Sequence, residues 1–413
     1  MLHQLSGSTI DGAAYTLDNA GNRTAKTDEL AGVTSSYAYD AIYELTGVTQ
    51  GTTTTESYTF DPVGNRLSSL GVSPYDVNLS NELTSTPSTT YTYDANGNTA
   101  TSITGSNTTQ YFWDYENRLS SVTLPGTGGT VSFKYDPFGR RILKSSSSGT
   151  SVFAYDGDNL IEETNSSGTG VARYSQGLNI DEPLAMLRSS TTSFYEADGL
   201  GSISSLTNSS GSVVQSYTRD SFGNQTASSG SLTNPFQYTA REFDPETSLY
   251  FYRARYYDPS VGRFAREDPR KEVLAGLNFY EYVRNSSPNF SDPDGRDPCG
   301  FWCRLWNWFK GGKEVYEPVN SAVDWNLCGL YLERCLTTNL GIQADLAQAL
   351  NSSDPVIYAT ALATLAQQTG SNSMSSLKTI GLCKNDENCK KAAKCAKKGL
   401  TNPLPFPFPL GDD

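Results

Sequence analysis

The chain is poor in the residues from which most catalytic and metal sites are built. Its 413 residues hold a single histidine, His3. That excludes a Ser-His-Asp triad or a histidine metal pair from everything beyond the first few positions. All seven cysteines lie at or after Cys299, so the first 298 residues hold neither a disulfide nor a thiolate ligand. No glycine loop of the P-loop or dinucleotide type occurs. No run of eighteen apolar residues is present to span a bilayer. Residues 1–30 lack a charged start followed by an apolar stretch, so no signal peptide is visible in them. Before residue 290 no long apolar 3.6-residue period marks a helix.

What is abundant is tyrosine, 25 residues against 17 Phe, and it recurs in one phrase. An aromatic, any residue, a second aromatic and Asp are followed within a few residues by Gly or Asn. Clear copies are Tyr37-Ala38-Tyr39-Asp40, Tyr58-Thr59-Phe60-Asp61, Tyr91-Thr92-Tyr93-Asp94, Tyr111-Phe112-Trp113-Asp114, Phe133-Lys134-Tyr135-Asp136 and Phe153-Ala154-Tyr155-Asp156. Weaker copies stand at Leu17-Asp18-Asn19, Phe194-Tyr195-Glu196 and Tyr217-Thr218-Arg219-Asp220. From Asp18 to Asp156 the well-formed aspartates are separated by 22, 21, 33, 20, 22 and 20 residues. A period near twenty is one supersecondary unit copied many times.

Each unit reads as a β-hairpin. Aromatics two apart project from the same face of a strand. Asp-Ala-Asn-Gly-Asn over 94–98 and Asp-Pro-Val-Gly-Asn over 61–65 supply turn chemistry. Asp bonds its own backbone two residues on, and Gly and Asn accept positive φ. The repeat aspartates are therefore read as turn formers, and residues 1 to about 240 as one continuous antiparallel sheet.

The units, and the stretch that follows them, resemble the RHS/YD-repeat proteins of bacteria. The strongest match runs from Pro235-Phe236-Gln237-Tyr238-Thr239-Ala240-Arg241-Glu242-Phe243-Asp244 through Leu249-Tyr250-Phe251-Tyr252-Arg253-Ala254-Arg255-Tyr256-Tyr257-Asp258-Pro259 to Asp292-Pro293-Asp294-Gly295-Arg296. It resembles the repeat-associated core that ends the repeats. The resemblance implies a mainly β fold, a teneurin-like shell or partial cocoon of hairpins. It divides the chain into a YD-repeat shell over 1–233, a core or plug over 234–296, and a variable C-terminal domain over 297–413. Leu2 to Gly7 already reads as the end of a unit, so a further N-terminal shell portion is expected, and an open sheet leaves edges for it to pair with.

Self-cleaving members of the family use two core aspartates to cut after an Asp-Pro-x-Gly-Leu segment. The matching positions are Asp268 and Asp292, with the scissile bond after Arg296. Two carboxylates sharing a proton supply one acid and one base. The stretch from Asn278 to Val283 is read as a strand that returns the chain between them. Arg296 stands where the family has Leu, and its charge, paired with a carboxylate, would lower that carboxylate's pKa. Asp258 and Asp294 are further candidates; Arg255 and Arg263 are read as partners of core carboxylates or as stacked on the tyrosines.

Beyond Gly295 the composition changes. Residues 1–298 carry a net charge of −14 and residues 299–413 carry +1. An acidic shell argues against nucleic-acid binding by that part. The tail reads as helical: Pro355 opens a segment over Val356 to Gln368, and Asn385-Asp386-Glu387 opens another that Lys397, Lys398 and Gly399 close. Trp302, Leu305, Trp306 and Phe309 form an aromatic stripe, and Pro403 to Pro409 an extended arm. The cysteine spacings match no zinc site, so disulfides are their expected use if the protein is exported. No metal or cofactor is expected, and no enzyme is recognisable in 297–413.

The function implied by the resemblance is a bacterial RHS-type shell holding its own C-terminal domain as cargo, an effector or toxin for competition between cells. An immunity protein would be its partner, and its place is secreted or at the cell surface. The alternative is a structural or adhesive surface protein that binds a cell-surface glycan and has a harmless tail.

Overall fold

A computed structural model describes residues 2–5, 8–269 and 278–296. The expected tail helices, the aromatic stripe, the proline arm and all the cysteines lie outside the described residues.

The described part is built from antiparallel strands in three sheets. Seven strands, β1 (Leu2–Leu5) through β7 (Arg66–Ser69), pair in sequence order. Sixteen more, β8 (Asp76–Val77) through β23 (Gln225–Gly230), do the same. The expected single sheet is thus interrupted between Ser69 and Asp76. There the chain doubles back on itself in a tight turn, with Ser69 and Val72 exchanging both backbone hydrogen bonds at 2.9 Å, and Pro74 has no N–H to continue a ladder.

The repeat aspartates make the turns. Asp40 Oδ1 accepts the backbone N–H groups of Ile42 and Glu44 at 3.0 and 2.9 Å. Asp18, Asp61, Asp94, Asp114, Asp136, Asp198 and Asp220 do the same two and four residues on. The third residue after the acid takes positive φ. It is Gly at 21, 64, 97, 139, 201 and 223, and Tyr43 and Asn117 elsewhere. Asn78 builds the same turn with Ser80 and Glu82, which fills the long gap between Asp61 and Asp94. Asp156 departs from the pattern: it closes a short hairpin by pairing with Asn159. The turn near Glu196 is formed by Asp198 instead.

The tyrosines tie each hairpin to the one before. The second aromatic of a phrase donates to the carbonyl five residues beyond the preceding turn acid. Tyr39 Oη reaches Arg23 O at 2.7 Å, Tyr135 reaches Leu119 O at 2.7 Å and Tyr155 reaches Arg141 O at 2.9 Å. Trp113 Nε1 does so to Thr99 O at 2.8 Å. Burial raises the phenol pKa of Tyr39, Tyr135 and Tyr155, so the hydroxyls stay protonated and keep donating.

The ribbon curls until its later turns meet its first strands. Lys26 pairs with Asp198 at 2.8 Å, Tyr15 Oη accepts from Gly199 N at 2.8 Å, and Glu56 accepts from Ser221 N and Oγ at 3.1 Å. His3 joins this seam through Glu196 at 2.6 Å.

Residues 234–296 then fold inward. Their sheet is β24 (Glu242–Asp244), β25 (Leu249–Tyr252), β26 (Arg255–Asp258) and β27 (Arg263–Phe264). Tyr250, Tyr252, Tyr257, Phe264 and Tyr282 pack on Leu45, Val48 and Tyr58 of the first sheet. Phe251 and Tyr256 pack on Leu119, Val122 and Val131. Phe236 packs on Tyr174, Met186 and Leu206. These residues therefore contribute to the cores of widely separated sectors of the ribbon. Fully burying each aromatic contributes roughly 2–3 kcal/mol.

Candidate functional site

The site lies where β26 begins. Arg255 is 3% exposed, and its Nη2 pairs with Asp268 Oδ2 at 3.0 Å and Asp292 Oδ2 at 3.1 Å. The two sequence-predicted aspartates thus meet on one nitrogen. Arg255 Nε donates to Gly295 O at 2.5 Å and Nη1 to Phe279 O at 3.1 Å. Its guanidinium lies 3.5 Å from the centroid of the Phe264 ring.

The stretch from Asn278 to Val283 does run beside Phe264 and Asp268, but not as a regular strand. Phe264 N bonds Tyr280 O and Asp268 N bonds Phe279 O, both at 2.9 Å. Arg263 and Glu281 form an isolated bridge, and a 3-10 turn follows over Val283–Asn285. Asn278, Tyr280 and Tyr282 are spent on side-chain contacts with the shell, among them Tyr280 Oη to Gly97 O at 2.7 Å.

The arm from Asp292 to Arg296 is strapped to the β25–β26 turn. Ala254 N donates to Asp294 O at 3.1 Å. Gly295 sits at φ +70, with the Tyr252 carbonyl oxygen where a Cβ would go, so only glycine fits. Asp292 Oδ1 and Asp294 Oδ1 accept the backbone N–H of Arg296 at 2.9 and 3.1 Å. It is this amide, not the Arg296 guanidinium, that meets the carboxylates.

Asp292 is 1% exposed. Burial pushes its carboxyl well above the usual carboxylate range; Arg255 pulls it back and Asp294 pushes it further up. Burial lowers Arg255, and Asp292 and Asp268 oppose that; the guanidinium stays a cation at neutral pH. Arg266, 2.8 Å from Ala254 O, is brought down to about 10 by burial and by repulsion from Arg255. Burial and the neighbouring Asp294 thus favour the protonated form of Asp292, and Asp268 shares the same guanidinium nitrogen. Of the further candidates, Asp294 belongs to this cluster. Asp258 does not: its Oδ1 accepts Ser260 N and Oγ at 2.9 and 2.6 Å and shapes a turn. Arg263 lies over Tyr280, 4.9 Å from the centroid.

Sequence reasoning did not anticipate the ties between residues 234–296 and the strands before them. Arg141, 2% exposed, pairs with Glu242 at 2.8 Å and with Asp244. Asn285 Nδ2 joins Glu44 and Glu281. Asp181 joins Arg241 and Arg253. Single charged residues spread over two hundred positions leave no periodic signal. Among the described residues no group of three or more His, Cys, Asp or Glu is placed to hold a metal ion, and no helix is long and apolar enough to cross a membrane.

The sequence matches the teneurin YD-shell family over residues 22–288. The chain belongs to that family. Among curated relatives, this YD shell is 30% identical over 273 residues to the tRNA3(Ser)-specific nuclease WapA of Bacillus spizizenii, covering 62% of this chain and 12% of the relative. It is 27% identical over 306 residues to the double-stranded DNA deaminase toxin A of Burkholderia cenocepacia, covering 66% and 21%. The YD shell therefore spans between an eighth and about a fifth of these relatives' length. Among solved structures, the TcdB2-TccC3 crystal structure matches at a TM-score of 0.44 and 17% identity, over 70% of this chain and 19% of that one.

Proposed function

We propose that this YD shell is part of a bacterial toxin shell, with 1–233 as wall, 234–296 as stopper and 297–413 as effector cargo for competition between cells. The stopper cuts the chain after Arg296 to free the cargo. The observation that carries the reading is Asp268 and Asp292 on one nitrogen of Arg255, with the Arg296 amide on Asp292. In the reaction Asp268 takes a proton from water as the oxygen attacks the Arg296 carbonyl carbon. Asp292 gives its proton to the departing nitrogen of Asp297. The products are a carboxylate at Arg296 and an amine at Asp297, and the carboxyl pair exchanges its remaining proton to reset. Arg296 in place of an apolar residue leaves the dyad usable, because its charge is not paired with either aspartate. Relatives named as a tRNA nuclease and a DNA deaminase toxin support cargo over the adhesion reading. Export to the cell surface and an immunity protein for the cargo belong to the same proposal.

Purified full-length protein tests it. Two fragments are expected, the smaller beginning at Asp297 by N-terminal sequencing, and one intact band in Asp268→Asn and Asp292→Asn. A native chain that stays whole, or one cut equally in both variants, removes the dyad from the account.

A further inference from the structure

The turn between β25 and β26 has two residues, Arg253 and Ala254. Arg253 sits at φ +53, a position where a two-residue hairpin turn favours glycine. Something must hold a long side chain there. Its Nη1 donates to the carbonyl of Pro293, in the arm that carries the scissile bond, and its Nη2 donates to Asp158 O at 3.2 Å. Both nitrogens also meet Asp181: Nη2 to Oδ1 at 2.9 Å and Nη1 to Oδ2 at 3.3 Å.

Asp181 is a shell residue. It stands in the loop between β18 (Gly170–Gln176) and β19 (Pro183–Arg188). Its side chain is 4% exposed and its own φ is +59. The same carboxylate pairs with Arg241 of the stopper, whose Nη2 donates to Phe251 O at 2.9 Å. One buried shell carboxylate thus fixes two stopper arginines, and one of these holds the arm three residues before the scissile bond. Removing one member of such a buried pair leaves an uncompensated charge.

The geometry points to Asp181 as a positioning residue: a shell loop that, through Arg253, sets the register of the 292–296 arm against the Asp268–Asp292 pair. This rests on the scission reading above. It makes the shell wall a precondition of the cut. A stopper without strands β18 and β19 around it has the carboxylates but not the register, and misplacing reacting groups by about 1 Å costs roughly a hundredfold in rate. A cargo is then released only inside a wall already built.

The test uses full-length protein and Asp181→Asn, since Asn accepts positive φ and removes only the charge. In an Asp268→Asn background, which keeps the arm joined, hydrogen exchange of residues 292–296 is expected to accelerate by roughly tenfold or more, with 249–252 and 255–258 unchanged. In the otherwise native chain the same substitution is expected to slow the cut by roughly tenfold or more, and Asp181→Glu to restore much of the rate. Unchanged exchange in the arm overturns the clamp. Faster exchange with an undiminished cutting rate overturns its positioning role. Faster exchange in a native chain that never cuts supports the clamp and refutes the scission reading instead.

Discussion

The hydroxyl of Tyr135 donates to the carbonyl of Leu119 at 2.7 Å, sixteen residues earlier in the chain. That carbonyl lies five residues beyond the turn acid Asp114, and the same relation links Tyr39 to Arg23 beyond Asp18 and Tyr155 to Arg141 beyond Asp136. The excess of Tyr over Phe thus has a cause beyond apolar bulk. Each of these phenols packs its ring beside the core and bonds, with its tip, a carbonyl just beyond the preceding turn.

Tyr135→Phe is expected to lower stability by about 1 kcal/mol, the net worth of such a bond, with the ring left in place. Chemical denaturation reads the change. Phe60 lacks the hydroxyl, so Phe60→Tyr is the matching control and should recover part of a comparable increment. Two variants with identical midpoints would mean that the hydroxyls contribute nothing.

The repeat and its turn chemistry were legible because each unit states the same message in sequence order. Asp94, Asn96, Gly97 and Asn98 are all within five residues, and the forces that shape them are local. The carboxylate pair was legible through resemblance, since Asp268 and Asp292 each precede proline in a matched segment. The break between Ser69 and Asp76 and the irregular path from Asn278 to Asn285 were not. In both, tertiary packing outweighs local preference: Tyr75 packs with Leu83 and Val261, and Asn278 Nδ2 is bound to Asn65 Oδ1 at 3.0 Å. Contacts such as Tyr75 to Val261 and Asn278 to Asn65, far apart in the chain, carry no period to read.

Gly295→Ala addresses the arm directly. The added methyl group meets the Tyr252 carbonyl oxygen, and the residue is at φ +70. Backbone shift of the arm is the expected response, with the cut slowed and the melting temperature little changed, because the arm is a short terminal element of the stopper. Fragment yield over time, against melting by circular dichroism, separates the two. An Ala variant that cuts at the native rate would contradict the required approach of arm and turn.

Stability should depend on pH through the Asn285 junction. Glu44 and Glu281 accept from the same Nδ2 at 2.9 and 3.0 Å. Burial raises their carboxyls to about 7 and about 8, with repulsion from Asp40 acting on Glu44 and from Glu44 acting on Glu281. Between the ordinary carboxylate range and those values the native state holds protons that the unfolded chain has released. Stability is therefore full below the ordinary Glu pKa, declines as pH rises, and levels off above about 8. Asp220, which burial raises to about 6, adds to the lower part of the slope. Melting temperatures from pH 5 to 8.5 measure it, and Glu281→Gln should flatten the upper portion. A native profile that rises over that interval would reverse the assigned sign.

In a row of repeats that touch only their neighbours, an injured unit fails alone. Phe236, Phe251 and Tyr250 instead belong to cores drawn from hairpins far apart in the chain. The segment synthesised after the whole wall is the one that gives distant hairpins a shared fate. A nascent chain stopped short of residue 249 keeps the seam that Lys26 makes with Asp198, but it lacks the rings of Tyr250 and Phe251 that join two of those cores.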